Sequence, residues 1–251
     1  MPGFRVPSPL LQGDMQLDRN RGYAALAVMH APGGLQPTPV STAPQLLPSG
    51  ALKIDSAGIV QDARVTQAIH STIEHGPMAR VHGIIVHQTG GASARGALNN
   101  YKNPGAHGAH FLIDKDGTIY QTASVFKVAH HVGQLKSRCM AEMRCLPAEL
   151  AALKGKRLGP GIGRVEANKP WPDRYPGNSD SIGIEIVGQA LPLTEKDEEK
   201  RTYEALTDEQ QRSFTWLLNG LRASLGVPLT EVFAHPTVSW KNKTEGMPAK
   251  W

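Results

Sequence analysis

The segment Ser181–Gly188, SIGIEIVG, most constrains the fold of this 251-residue chain. Its three isoleucines alternate with Gly183 and Glu185, and successive side chains of a β-strand point to opposite faces of a sheet. One face of this strand is therefore apolar, and an acidic side chain is predicted on the other. An apolar sheet face has to be covered by a second layer of structure.

A long amphipathic helix is predicted near the end of the chain. Thr207 and Gln210 form a capping box, which is a signature of a helix N-terminus. The apolar positions then repeat with helical spacing over Asp208–Leu225, and Gly226 ends the pattern. Such a helix has the length and the apolar stripe needed to cover one face of a sheet.

Further strands precede these two elements. An Asp-Gly pair lies between His110–Ile113 and Thr118–Gln121, which is typical of an antiparallel hairpin. Strands mixed with helices, with at least one antiparallel pair, predict an α/β fold in which a mixed central β-sheet is flanked by helices. The remaining predicted elements of this part of the chain are strands over Val81–His87 and Val125–Val132 and a short helix over Ser93–Tyr101.

The N-terminal quarter of the chain differs in composition from the rest. Residues 1–58 are rich in Pro, Gly, Ser and Gln, and are predicted to be a mostly irregular extension or linker. Residues 59–77 are predicted to be a helical lead-in, because four apolar side chains lie near helical spacing. These four are Val60, Val65, Ile69 and Ile73.

One folded domain is predicted over residues 78–251. It contains a long insert over residues 133–179, in which only Pro147–Leu153 is predicted as a helix. An insert of this length with little regular structure is usually functional or mobile. Cys139 and Cys145, the two cysteines of the chain, lie within it. They form either a local disulfide in an oxidising compartment or two thiols in the cytosol.

The composition is that of an ordinary globular protein and excludes two classes of partner. The chain has 27 Lys and Arg against 22 Asp and Glu, but no basic run interleaved with aromatic residues, so nucleic-acid binding is not expected. No apolar stretch approaches the roughly 18 residues of a membrane span, so membrane insertion is not expected. The first residues lack a basic segment followed by an apolar run, and no Sec signal peptide is expected.

Two histidines occupy unusual positions. His87 ends an apolar strand directly before a turn, and His235 precedes a polar tail that contains Glu245. Imidazole and carboxylate groups are ligands that Zn²⁺ prefers, and a catalytic zinc site uses three protein ligands and one open position. Spacing alone does not distinguish this interpretation from a histidine that is merely hydrogen-bonded at a strand end.

Five segments, in this order, resemble the type-2 family of N-acetylmuramoyl-L-alanine amidases, which includes phage amidases, bacterial amidases that recycle muropeptides, and animal peptidoglycan recognition proteins. The resemblance covers residues 78–251 apart from the insert. It implies the fold of that family, with the mixed sheet described above. The five segments are Ile84–Thr89 (IIVHQT), Ala109–Gln121 (AHFLIDKDGTIYQ), Ala129–Gly133 (AHHVG), Asp180–Glu185 (DSIGIE) and Lys243–Gly246 (KTEG) together with the preceding His235.

The resemblance implies one zinc ion bound by His87, His235 and Glu245. Glu245 stands where the family usually has Asp or Cys, and it is one methylene longer than Asp. Ala109 replaces a tyrosine of the phage enzymes, which makes the chain most similar to the recycling subgroup.

The same resemblance implies catalytic roles for two further residues. Glu185 matches the general base, and Lys243 matches the lysine that faces the developing oxyanion. Without the resemblance, the favoured interpretation of Glu185 is an edge carboxylate paired to a lysine, and that of Lys243 is a solvated surface residue. The residues implied to bind the substrate are His131, Gln88 and Thr89.

The expected activity is zinc-dependent hydrolysis of the amide bond between N-acetylmuramic acid and L-alanine in peptidoglycan. The expected role is that of an antibacterial effector, delivered by secretion machinery such as a type VI apparatus to the periplasmic wall of a target cell and paired with an immunity protein. The alternatives are a phage endolysin, a cytoplasmic recycling amidase, or a non-catalytic peptidoglycan-binding module. A module of the last kind lacks a complete set of zinc ligands.

Overall fold

The computed structural model describes residues 50–251. Most of the predicted N-terminal extension therefore lies outside the described residues. The predicted mixed α/β fold is confirmed. The strands are β1 (Val65–Gln67), β2 (Glu74–Pro77), β3 (Gly83–Gly90), β4 (Phe111–Ile113), β5 (Ile119–Gln121), β6 (Lys127–Ala129), β7 (Ser181–Leu191), β8 (Thr202–Tyr203) and β9 (Val232–Ala234). The α-helices are α1 (Ala94–Asn100), α2 (Arg138–Ala141), α3 (Pro147–Leu153), α4 (Pro160–Ala167), α5 (Asp208–Leu225) and α6 (His235–Val238).

The main sheet has the strand order β1-β5-β4-β7-β3-β9, with β8 paired to the end of β7. Strands β4, β7, β3 and β9 run parallel to one another, and β5 is antiparallel to β4 as the hairpin pattern predicts. In the central pair, His87 of β3 lies opposite Glu185 of β7. The two side chains therefore share one face of the sheet at the same height.

Helix α5 covers the opposite face. Its Phe214, Leu217 and Leu221 are buried against the three isoleucines of β7 and the apolar residues of β3 and β4. The helix begins at the predicted capping box, with Thr207 and Gln210 each bonded to the other's backbone N–H. The alternation in β7 therefore sends its apolar side chains to α5 and Glu185 to the other face.

The helical lead-in predicted over residues 59–77 is wrong. Val65–Gln67 pairs in parallel with β5, and the N–H of Val60 donates to Oε1 of Gln121 at 2.8 Å. Glu74–Pro77 pairs with β6 in a separate two-stranded sheet. The β-branched residues of this segment suit strands, and the open edge of β5 supplies the partner that decides the outcome.

Two other boundaries also change. Leu52 is buried against α5, and its carbonyl accepts a hydrogen bond from Ser224 Oγ at 2.9 Å, so residues 50–58 belong to the folded body rather than to the extension. The insert over residues 133–179 contains three helices, α2, α3 and α4, of which only α3 is predicted from the sequence. The strand predicted over Val125–Val132 is limited to β6.

Among the described residues, no helix has the length and apolar character required to cross a membrane.

Candidate metal centre and active site

Three neighbouring strands bring the candidate ligands to one edge of the sheet. His87 lies in β3, and β9 pairs with β3 so that Ala234 lies opposite Val86. His235 follows Ala234 directly and begins α6. The carboxyl ends of parallel strands meet at the same edge, which is the usual position of a functional site in such a sheet. Residues 87 and 235, separated by most of the domain in sequence, are therefore adjacent.

His87, His235 and Glu245 form a compact buried cluster, here called the triad. Nδ1 of His235 lies 2.7 Å from Oε1 of Glu245 and 2.9 Å from Nδ1 of His87. Nδ1 of His87 lies 3.3 Å from the same carboxylate oxygen. The residues are only 1%, 2% and 7% exposed, respectively. All three ligand atoms therefore point at one another inside the protein.

Hydrogen bonds behind the triad fix the orientation of both imidazoles. Nε2 of His235 donates to the carbonyl of Val132 at 2.8 Å, which leaves Nδ1 with the lone pair when the ring is neutral. Nε2 of His87 lies 3.0 Å from Nδ1 of His131, whose own Nε2 lies 3.3 Å from the carbonyl of Ser181. Since that carbonyl can only accept, His131 donates to it and accepts from His87. Each triad imidazole thus presents an Nδ1 lone pair, as metal ligands require.

The electrostatics of the triad suit a dication. Burial lowers the pKa of His87 to about 4, so the ring is neutral at pH 7. Although burial opposes ionisation, the neighbouring His235 and His87 lower the pKa of Glu245 to about 2. The donor set is therefore two imidazole nitrogens and one carboxylate within 4.8 Å of one another. Three such ligands with an open fourth position are the ligand set of a catalytic zinc site.

Glu185 lies beside the triad and does not belong to it. Its side chain is half-buried, and its Oε2, which is itself buried, has no hydrogen-bond partner within residues 50–251. Burial, with the Glu245 carboxylate adding to it and Lys241 opposing it, raises the pKa of Glu185 to about 8. A buried carboxylate without a partner is costly unless a ligand or a reaction uses it.

His131 lines the cavity that opens over these groups, and its ring also lies behind His87. Its ring packs on Gly183 of β7, where an added Cβ would lie 2.8 Å from the ring and 2.9 Å from the Cβ of Ala109. A larger residue at position 183 would therefore displace His131 from His87. This explains the glycine between two of the isoleucines of β7.

A cavity of about 740 Å³, here called the site cavity, opens over these groups. Gln88 and Thr89 both line it, but the amide of Gln88 is occupied by the Glu204 carbonyl and by the N–H of Gly246. Gln88 thereby ties the loop that carries Glu245 to β3. Gln88 and Thr89, two of the residues implied to bind the substrate, therefore both lie at the site cavity. The side chain of Gln88 is already hydrogen-bonded.

The lysine of the site cavity is Lys241, whereas Lys243 is not part of its lining. Oδ1 of Asn242 accepts hydrogen bonds from the N–H and the hydroxyl of Thr244, at 2.8 and 2.7 Å. Lys243 is at the middle of this tight turn and is exposed. The local turn therefore differs from the arrangement that the resemblance implies.

Two tyrosines of the lining were not predicted from the sequence. Tyr101 follows α1 and Tyr203 lies in β8, and the charge of Glu185 reaches both hydroxyls. Burial raises the pKa of each tyrosine, so both remain protonated donors. The sequence holds no local signal for either, because their approach depends on how α1 and β8 pack.

Comparisons with known proteins agree with this geometry. The family model described as N-acetylmuramoyl-L-alanine amidase matches residues 77–247. A comparison with curated protein sequences finds no match. Among solved structures, a selenomethionine derivative of AmpD has a TM-score of 0.50 at 17% identity, over 80% of this chain and 96% of its own. This similarity shows a shared fold.

Two other similar structures have lower scores. The N-acetylmuramoyl-L-alanine amidase LysC from Clostridium intestinale URNW has a TM-score of 0.37 at 16% identity, over 70% of this chain and 85% of its own. AmpDh3 from Pseudomonas aeruginosa, in complex with an anhydromuramic pentapeptide, has a TM-score of 0.40 at 20% identity, over 63% of this chain and 52% of its own.

Proposed function

We propose that this chain, which belongs to the N-acetylmuramoyl-L-alanine amidase family, hydrolyses the amide bond between N-acetylmuramic acid and L-alanine in peptidoglycan with the help of one zinc ion. The observation that carries the proposal is the buried triad beside Glu185, whose Oε2 has no partner within residues 50–251. A ligand set and an unpaired base at one cavity are what metal-assisted hydrolysis requires.

The triad would hold the zinc ion through Nδ1 of His87, Nδ1 of His235 and the carboxylate of Glu245. When bound, zinc polarises the scissile carbonyl and lowers the pKa of water to about 7. The protein's part is to turn both imidazoles so that each Nδ1 faces the ion, which His131 and the Val132 carbonyl do.

Glu185 would act as the general base. In its ionised form, which a cation held by the triad would favour, Glu185 can take a proton from the attacking water. The raised pKa of its carboxyl group then favours keeping that proton until the amide bond breaks. The same group can then return that proton to the L-alanine nitrogen as the amide bond breaks. A positioned base of this kind contributes about 10²–10⁴ to the rate.

Lys241 would stabilise the negative charge that develops on the amide oxygen. It lines the site cavity, and its charge acts on both Glu185 and His87. A fixed cation is most effective where charge appears only in the transition state. This assignment moves the role from Lys243, the residue that the family resemblance implies, to its neighbour two residues earlier.

The non-catalytic alternative is less well supported. A binding module needs neither a complete ligand set nor a buried base, and both are costly to bury. Here all three ligand positions carry a donor, and Glu185 accompanies them. Catalysis accounts for these groups, whereas simple binding does not.

Two substitutions should separate metal binding from base catalysis. Glu245→Ala should lose both zinc and activity, because two histidines hold Zn²⁺ much less firmly than three ligands. Glu185→Gln should keep stoichiometric zinc and lower kcat by about 10²–10⁴. Zinc is measured by elemental analysis, and activity by muropeptide cleavage. Full zinc occupancy in Glu245→Ala, or a loss of less than tenfold in Glu185→Gln, would contradict these assignments.

A matched pair of lysine variants should identify the lysine that stabilises the negative charge on the amide oxygen. Lys241→Ala is expected to lower kcat by about 10²-fold, the usual effect of losing one oxyanion donor, while its zinc content and melting temperature stay unchanged. Lys243→Ala should remain within about twofold of the parent, since an exposed side chain outside the cavity stabilises no transition state. If Lys243→Ala lowers kcat more than Lys241→Ala does, Lys243 and not Lys241 stabilises the developing negative charge.

A disulfide supports the antibacterial role outside the cytoplasm. Cys139 and Cys145 are bonded to each other, and such bonds persist in oxidising compartments while the cytosol keeps thiols reduced. The periplasmic wall of a target cell is such a compartment, and a cytoplasmic recycling enzyme would not use the bond. Secretion machinery and an immunity protein in the producing cell are part of this proposal.

Expression of the chain with and without an export signal tests whether it acts in the periplasm. The chain carried to the periplasm by an added export signal should lyse a Gram-negative host, and Glu185→Gln in the same vector should not. Expression without the signal should leave growth unchanged, because the intact wall lies across the membrane. If periplasmic protein that cleaves purified sacculi leaves the host unharmed, the effector role is wrong.

A further inference from the structure

The insert over residues 133–179 forms a rigid wall beside the site cavity. Arg138 of α2 makes two hydrogen bonds to the buried carboxylate of Glu231, at 2.7 and 3.1 Å, and Trp171 Nε1 donates to the same carboxylate at 3.3 Å. The disulfide and the apolar side chains of α3 and α4 form a small core of their own. The insert is therefore fixed in place next to β9.

A second cavity, of about 440 Å³, lies between α4 and the segments that precede β7 and follow β6. It adjoins the site cavity, because His130, Gly133 and Asn178 line both. Oδ1 of Asn178 accepts from the N–H groups of His131 and Val132, at 2.9 and 2.7 Å. These shared residues are thus tied to the groups that orient the triad.

Helix α4 comes close to these shared residues. A Cβ at Gly163 would lie 2.8 Å from Oε1 and 3.3 Å from Cβ of Gln134, so the helix packs closely on Gln134. Arg164, the next residue, lies at the wall of the second cavity. It is exposed, and within the described part of the chain its guanidinium has no hydrogen-bond or ion-pair partner.

The second cavity is electropositive. Its lining, within the described residues, includes Arg164, Arg174 and His130 but no carboxylate. Arg174 is neutralised by Asp180, with hydrogen bonds of 2.9 and 3.1 Å, so Arg164 carries the uncompensated charge. A carboxylate is the complementary ligand group, and arginine can bind it through two parallel hydrogen bonds.

We propose that the second cavity is a subsite for the peptide stem of the substrate, in which Arg164 pairs with a stem carboxylate. This inference rests on the proposed amidase function, since the scissile bond then lies in the adjoining site cavity. The stem carries free carboxylates, whereas the glycan strand is a neutral polymer of N-acetylated sugars. The charge of the cavity therefore assigns it to the peptide side of the bond, and the insert determines stem specificity.

Paired substrates test this subsite with the zinc-loaded full chain. One substrate is a soluble muramyl peptide with free stem carboxylates, and the other is the same compound with those carboxylates amidated. Arg164→Ala should raise KM for the acidic substrate about fivefold, the value of one partly exposed ion pair, and leave kcat unchanged. Arg164→Glu should raise KM for the acidic substrate further. The amidated substrate should be cleaved equally by all variants.

Lys154→Ala is the matched control, because Lys154 is an exposed cation of the same insert outside the lining of the cavity. It should behave as the parent on both substrates. If Arg164→Ala changes KM equally for both substrates, or for neither, the subsite is wrong. A structural role of Arg164 in the last turn of α4 would lower the melting temperature without distinguishing the substrates. If the parent cleaves neither compound, the proposed amidase function is wrong, and this outcome is distinct from a failure of the subsite alone.

Discussion

Two imidazoles and one carboxylate are held together in a buried position at the edge of the sheet. Removing such groups from water is unfavourable unless partners compensate each of them. Here three parallel strands supply two of the groups and the nearby Glu185, while a loop tied to Gln88 supplies Glu245. The arrangement satisfies the imidazoles from behind and leaves their Nδ1 atoms and the carboxylate facing one point. The proposed zinc ion would complete this cluster.

The parts of the fold that could be predicted from the sequence are those with local signals. Asp208–Leu225 has a capping box and a glycine stop, and β7 has strict alternation, so both were predicted correctly. The lead-in over residues 59–77 failed because its outcome depends on the free edge of β5, which is distant in sequence. Helical spacing of a few β-branched residues is weak evidence against such a partner.

In the site too, some features could be predicted from the sequence, whereas others depend on tertiary packing. Residue type and spacing alone left the triad and Glu185 undecided between functional and structural roles, and the family resemblance implied their roles. The structure brings all four side chains to one cavity. The sequence did not predict that Lys241, rather than Lys243, lines the cavity, because this depends on the turn at Asn242. Likewise, His131 matches a groove histidine in the sequence, yet its contact with His87 depends on Gly183 beneath its ring. Tertiary packing settles these details.

In the proposed reaction, water attacks the carbonyl that joins the muramic acid lactyl group to L-alanine. Mass spectrometry of peptidoglycan digested in oxygen-18 water by the zinc-loaded protein identifies the bond that is cut. We expect one heavy oxygen in the lactyl carboxylate of an otherwise intact glycan, together with unlabelled stem peptides that begin at a free L-alanine amine. Heavy oxygen at a sugar reducing end or in a peptide carboxylate would show that a different bond is cut, and the proposed reaction would then be wrong.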